Sequence, residues 1–136
     1  HNWVERGEEG WLHRKGAAPS SSRFVLIPGS RGSFSYVVRP RSNDLRHGYS
    51  LAHGAGRKWD RASVKGRLEN RYRASDLEKT ALGSRVICRD KDLLFQEAPE
   101  AYKAIDTVID DMVVMGLIEV VAVLRPVLTY KTNTRH

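Results

Sequence analysis

A chain of 136 residues, 40% of them hydrophobic, is long enough to bury a core, and one compact unit spanning 1–136 is the expectation. No apolar run approaches the roughly 18 residues of a membrane span and nothing resembles a signal peptide, which excludes a helical membrane protein and points to the cytoplasm. The single cysteine, Cys88, excludes an internal disulfide framework and a paired-cysteine zinc knuckle.

The formal charge of +7 is uneven. Residues 1–75 carry fifteen Lys and Arg against six Asp and Glu, whereas residues 76–136 carry eight against ten. A cationic half of this kind suits a polyanion, because neutralising phosphates releases their counterions.

In chain order, Trp11-Leu12-His13-Arg14-Lys15 alternates apolar and polar side chains and predicts a half-buried strand, with Gly16 to Ser22 as a loop after it. Phe24-Val25-Leu26-Ile27 predicts a buried strand stopped by Pro28-Gly29, and Phe34 to Val38 a second one. Arg39 to Gly48 reads as an exposed connection and Trp59–Tyr72 as a basic helix. Ser75 with Glu78 three residues on has the form of a capping box. Val86-Ile87-Cys88 suggests a strand. Ile105, Val108, Ile109, Met112 and Met115 share a helical face that Gly116 ends, and Ile118 to Leu124 predicts a buried strand before Pro126. Helices and strands alternate without a strict βαβ rhythm, so the fold class expected is α+β, a mixed central sheet with flanking helices.

Two segments carry candidate chemistry. In Ala52-His53-Gly54-Ala55-Gly56-Arg57, small residues let backbone amides approach a phosphate, Arg57 offers a fork of donors and His53 stands at the entrance; read alone, this is also an ordinary turn. In Gly29-Ser30-Arg31-Gly32-Ser33-Phe34-Ser35 two hydroxyls, Ser30 and Ser35, flank a sharp turn. The five histidines show no metal-ligand spacing, so a complete metal site within the chain is not expected.

Taken in order, Ile27-Pro28-Gly29-Ser30-Arg31-Gly32-Ser33-Phe34-Ser35-Tyr36, His53-Gly54-Ala55-Gly56-Arg57 and Glu97-Ala98-Pro99-Glu100-Ala101-Tyr102-Lys103 resemble the RtcB family of RNA ligases over nearly the whole chain. The resemblance implies the C-terminal portion of an RtcB-type fold. The activity it implies is joining of an RNA 3′-phosphate or 2′,3′-cyclic phosphate to a 5′-hydroxyl, with GTP as guanylate donor and Mn²⁺ as cofactor, in RNA repair or tRNA splicing. By the same resemblance His53 is the guanylated nucleophile, and Ser30, Ser35, His53, Ala55, Gly56, Tyr102 and Lys131 hold the guanylate. His1 would be one metal ligand, and Arg57, Arg61 and Lys65 would meet phosphate or RNA backbone.

Arg31 stands where the family usually has Met, and the Gly-Ser-Arg-Gly turn with Leu128-Thr129-Tyr130-Lys131 resembles a branch found beside release factor H and linked to repair of cleaved ribosomal RNA. The implied partners are RNA with broken ends, an N-terminal portion of the same enzyme bearing the other metal ligands, and an archease-like activator. Two other readings compete, a non-catalytic RNA-binding module and a structural subunit of a larger assembly. Retention of the guanylate positions argues against the first, and the His53 loop against the second.

Overall fold

The computed structural model describes residues 2–7 and 10–132. Its elements are β1 (Asn2–Gly7), β2 (Gly10–Lys15), β3 (Ala17–Pro19), β4 (Val25–Ile27), β5 (Ser35–Pro40), β6 (Ser50–Ala52), α1 (Arg61–Leu68), β7 (Arg85–Cys88), α2 (Lys91–Gln96), α3 (Ile105–Val114), β8 (Ile118–Leu124) and β9 (Leu128–Lys131). Short 3-10 turns cover Leu45–His47, Ala74–Glu78 and Pro99–Ala101. This is a small α+β fold. The central sheet expected from sequence is divided into three two-stranded sheets and one of three strands. The chain forms two compact units.

The first unit comprises His1–Pro28, Tyr36–Ala55 and Ala104–Val123. Here β1 and β2 make an antiparallel hairpin with Asn2 opposite Lys15, and β3 pairs antiparallel with β6. The stretch from Gly16 to Ser22, read as a loop, therefore contains a strand, because Ala17 and Ala18 find partners in Ala52 and Leu51 far along the chain. A third sheet runs in the order β4, β5, β8. Its core joins the fully buried Ile27 and Val38 to Leu51, Ile118 and the face of α3 formed by Ile105, Ile109 and Met112. These three α3 residues fall at i, i+4 and i+7, the spacing of a single helical stripe.

Several sequence expectations fail here: β2 exposes Trp11 and buries Arg14 instead, and of the apolar run Phe24–Ile27 only Val25 and Ile27 are buried. Met115 is 72% exposed rather than on the buried face, since α3 ends at Val114 and the backbone turns at Gly116. Of β8 only Ile118 is buried; Val120 packs against this core, while Val121, Val123 and Leu124 are exposed. Arg14 of β2 is buried but fully engaged. Its Nε donates to Ser50 Oγ at 2.8 Å and its Nη2 to the Tyr49 carbonyl at 3.0 Å, while Nη1 pairs with Glu5.

The second unit comprises Gly29–Ser35, Gly56–Lys103 and Leu124–His136. The predicted Trp59–Tyr72 helix is the shorter α1. Asp60 caps it by accepting the Ser63 amide at 3.0 Å, and Val64 and Leu68, one turn apart, are wholly buried. The capping box expected at Ser75 and Glu78 is displaced: Asp76 Oδ2 instead accepts the Arg73 amide at 2.7 Å and closes a 3-10 turn. Asp90 starts α2 by accepting the Leu93 amide at 3.0 Å, and α2 buries Leu94 and Phe95. These side chains pack with Val64, Leu68, Leu77, Val86, Ala98 and Ala101. Parallel pairing of β7 with β9 sets Cys88 opposite Lys131 and so brings β9 alongside the strand that carries Val86 of this core.

Candidate functional site

The second unit assembles most of the residues singled out from sequence. Strand β9 carries Lys131, the segment after Ala55 carries Gly56 and Arg57, and the 3-10 turn Pro99–Ala101 delivers Tyr102. An antiparallel bridge joins Arg57 to Tyr102, and the Lys103 amide donates to the Gly56 carbonyl at 3.1 Å. Gly56 has φ +74°, a left-handed conformation that costs a side-chain-bearing residue about 1–2 kcal/mol.

At the centre lies a residue quoted in the sequence motif but given no role by it. Glu97, at the C-terminal end of α2, has a side chain only 12% exposed. Its Oε2 accepts the Tyr102 hydroxyl at 2.5 Å and lies 3.9 Å from Lys131 Nζ. Its Oε1 lies 3.5 Å from Arg57 Nη1 and 3.6 Å from Arg61 Nε. Burial pushes the Glu97 carboxyl up, but the Tyr102 hydrogen bond and the charges of Lys131, Arg57 and Arg61 outweigh it and hold the group below the usual carboxylate value. Burial and the bond to Glu97 push the Tyr102 phenol up to about 12, so it stays a hydrogen-bond donor at neutral pH.

Arg57 is committed to the protein on every nitrogen. Nε donates to the Trp59 carbonyl at 3.1 Å, Nη1 to the Tyr102 hydroxyl at 2.9 Å and Nη2 to the Gln96 carbonyl at 2.5 Å. Its guanidinium also stacks 4.7 Å from the centre of the Tyr102 ring. Arg61, 68% exposed, and Lys65, 49% exposed, keep their charges at the surface, where Lys65 pairs with Asp92 at 2.7 Å. Further along the basic run Lys58 and Arg67 both stack on Trp59, and Arg71 on Tyr72.

The serine turn belongs to the same unit. Ser35 Oγ accepts the Gly29 amide at 3.0 Å, and Ser30 Oγ shares a hydrogen bond with Ser33 Oγ at 2.9 Å. Any Cβ at Gly29 would fall 1.9 Å from the Phe34 carbonyl oxygen, so only glycine fits the turn. Ser84 Oγ anchors the turn by donating to the Arg31 carbonyl at 3.0 Å. The Arg31 side chain is buried, and among the described residues none of its three nitrogens finds a hydrogen-bond acceptor. Burial pushes this guanidinium down from its ordinary value, opposed by the charges of Glu100, Glu97 and the groups around them.

His53 and Ala55 belong to the first unit. β6 leads directly into His53, whose amide donates to the Gly16 carbonyl at 3.1 Å and extends the β3–β6 ladder by one bond. Its side chain is half-buried, and Ala55 packs on the first core. His1, the one expected metal ligand, lies outside the described residues. Among the described residues no three His, Cys, Asp or Glu side chains gather as a metal site, so these residues alone do not fit a manganese centre.

The family model described as tRNA-splicing ligase RtcB matches residues 1–132. This chain belongs to the RtcB family. It is 54% identical over 137 aligned residues to the RNA-splicing ligase RtcB2 of Escherichia coli, an alignment covering 98% of this chain and 36% of that protein. It is 35% identical to the RNA-splicing ligase RtcB of Escherichia coli K12 (96% of this chain, 31% of that protein) and 36% identical to the tRNA-splicing ligase RtcB of Archaeoglobus fulgidus (85% and 27%). The chain thus spans about a third of the length of these RtcB relatives. No helix among the described residues is long and apolar enough to cross a membrane.

Proposed function

We propose that this chain is the C-terminal, nucleotide-holding portion of a GTP-dependent RNA ligase that joins RNA 3′-phosphate or 2′,3′-cyclic phosphate ends to 5′-hydroxyl ends. The observation that carries the reading is the convergence of Tyr102, Lys131, Arg57 and Arg61 on Glu97, which places donors and positive charge together on one rigid core. Such a set suits a nucleotide, whose base edge needs hydrogen bonds and whose phosphates need cations.

In this reading an imidazole nitrogen of His53 attacks the α-phosphorus of GTP. A P–N bond forms, the bond to the bridging oxygen breaks and pyrophosphate leaves. An oxygen of the RNA 3′-phosphate then attacks the same phosphorus, breaking the P–N bond and carrying the guanylate onto RNA. A cyclic end first requires hydrolysis to the 3′-phosphate. The 5′-hydroxyl oxygen finally attacks the activated RNA phosphorus, GMP departs, and the hydroxyl proton passes to base. Ser30, Ser35, Ala55, Gly56, Tyr102 and Lys131 hold the guanylate throughout.

Arg61 and Lys65, with Arg57 behind them, supply the phosphate-facing charge. Manganese, the expected cofactor, would polarise the phosphates. It would need ligands beyond the described residues, with His1 as this chain's contribution. The proposed partners are broken RNA, from tRNA or ribosomal RNA, an N-terminal portion of the same enzyme and an archease-like activator, acting in the cytoplasm.

The test incubates the full-length protein with α-labelled GTP and Mn²⁺ and compares it with His53→Ala. Label on the wild type that vanishes in the variant supports the ligase. Label that survives the substitution removes His53 from its role, and RNA binding with no label in either form leaves a binding module instead.

A further inference from the structure

We propose that Glu97 is a positioning residue of the nucleotide pocket, a built-in counter-anion that keeps Tyr102, Lys131, Arg57 and Arg61 convergent and yields Lys131 to the nucleotide when it binds. The inference rests on the nucleotide reading above.

The geometry is lopsided in a way that packing alone does not require. One carboxylate faces three cations, and its shortest contact is the Tyr102 hydroxyl, at 2.5 Å, with a long hydrogen bond from Arg57 Nη1 at 3.5 Å. The cations stand off at 3.5, 3.6 and 3.9 Å. Like charges repel, and without Glu97 the long side chains of Arg61 and Lys131 would spread into solvent, while Arg57 stays tied to the Trp59 and Gln96 carbonyls. With it they are gathered around an excess of positive charge that a further anion can satisfy. Holding such groups in place before the ligand arrives removes an ordering cost from binding.

The four partners are not held equally. Arg57 is locked by carbonyls and by its stack on Tyr102, so it backs the phenol rather than reaching outward. Lys131 makes the longest contact, 3.9 Å, and 46% of its side chain is exposed. It can turn from Glu97 to an incoming phosphate or base edge, while Tyr102 and Arg57 stay fixed. The charges of Glu100 and Glu97 act on the buried Arg31 guanidinium of the same unit and partly offset the effect of its burial.

The test measures the rate of protein guanylylation against GTP concentration in the full-length protein for wild type, Glu97→Gln, Glu97→Asp, Lys131→Ala and the Glu97→Gln/Lys131→Ala double variant. Glu97→Gln is expected to raise half-saturating GTP about tenfold, the order expected for one charge-assisted contact, with a smaller change in the limiting rate. Melting temperature serves as the control for a merely structural role and stays within about 5 °C. Lys131→Ala costs less in the Glu97→Gln background than in the wild type, because the lysine has already lost its holder.

Unchanged half-saturation in Glu97→Gln, or strictly additive costs in the double variant, overturns the proposal. Should Glu97→Gln not fold, Glu97→Asp takes its place, keeping the charge but drawing it back by one methylene. It must then weaken GTP several-fold, and an unchanged value defeats the idea. Absence of any adduct in the wild type is a different failure, which removes the ligase reading and this inference with it.

Discussion

The first unit carries His53 on an apolar frame, whereas the second gathers cations and a phenol around the largely buried Glu97 carboxylate. In the first, the buried Arg14 is fully tied off by Glu5, Ser50 and Tyr49. In the second, Glu97 faces three cations, and Arg31 finds no acceptor among the described residues. On the proposed function the difference separates a framework from a receptor: where a buried charge is matched the residue stabilises the fold, and where the match is incomplete a ligand can complete it. The His53-Gly54-Ala55-Gly56-Arg57 motif is itself divided, its first three residues in one unit and its last two in the other.

The largest expected effects test whether both frames are needed. Ile109→Ala in the first core and Leu94→Ala in the second should each lower stability by about 2–5 kcal/mol, read from the urea midpoint. If Leu94→Ala abolishes guanylylation below its unfolding midpoint while Ile109→Ala leaves GTP half-saturation unchanged, the receptor role of the second unit is sharpened; equal effects on half-saturation would erase the distinction.

Next comes Arg31→Met. Replacing a buried guanidinium that lacks acceptors with an apolar side chain should raise stability, by about 1–4 kcal/mol. A loss of stability would mean that the charge is matched after all and that the contrast with Arg14 is false.

A smaller effect concerns alkaline pH. The Tyr102 phenol is raised in the folded protein from 10.0 to about 12, so folding favours its protonated form. Its contribution is therefore fully present below pH 10 and lost as pH rises toward 12. Tyr102→Phe should flatten the fall of stability across that window, measured by denaturation at stepped pH; an unchanged profile would detach Tyr102 from Glu97.

The smallest effects belong to the exposed cations. Arg61→Ala and Lys65→Ala should each reduce by about one the slope of log affinity for RNA against log salt, with little change in melting. A slope unaltered by either substitution would confine both residues to their partners Glu97 and Asp92.

Legibility followed the range of the interactions. Strands β4 and β5 and the helix α3 were readable because their apolar spacing is local. The apolar run Phe24–Ile27 marks a strand, although only Val25 and Ile27 of it are buried, and Ile105, Ile109 and Met112 repeat at helical intervals. Strand β3 was missed because its Ala-Ala-Pro sequence is strand only by virtue of β6, more than thirty residues later. Helix α2 was missed because six residues carry too little periodicity, although Asp90 before them was an available capping signal. The expected length of α1 failed for the opposite reason, since a run of charges looks helical well beyond the two buried residues that hold it.

For the candidate site, the serine turn, the His53 loop and the Tyr102 segment stood out as motifs, and the family match over residues 1–132 agrees with the family that they resemble. What the order of residues determined by itself was therefore the family, the small α+β character and which short segments are chemically equipped, because these depend on neighbours within a few positions. The tertiary structure alone decided that Glu97 is the meeting point of Arg57, Arg61, Tyr102 and Lys131, and that Arg57 faces inward while Lys131 stays half-exposed. Charge interactions act through space, and the groups concerned lie on separate segments that only the packing of one core and the parallel pairing of β7 with β9 bring within 4 Å.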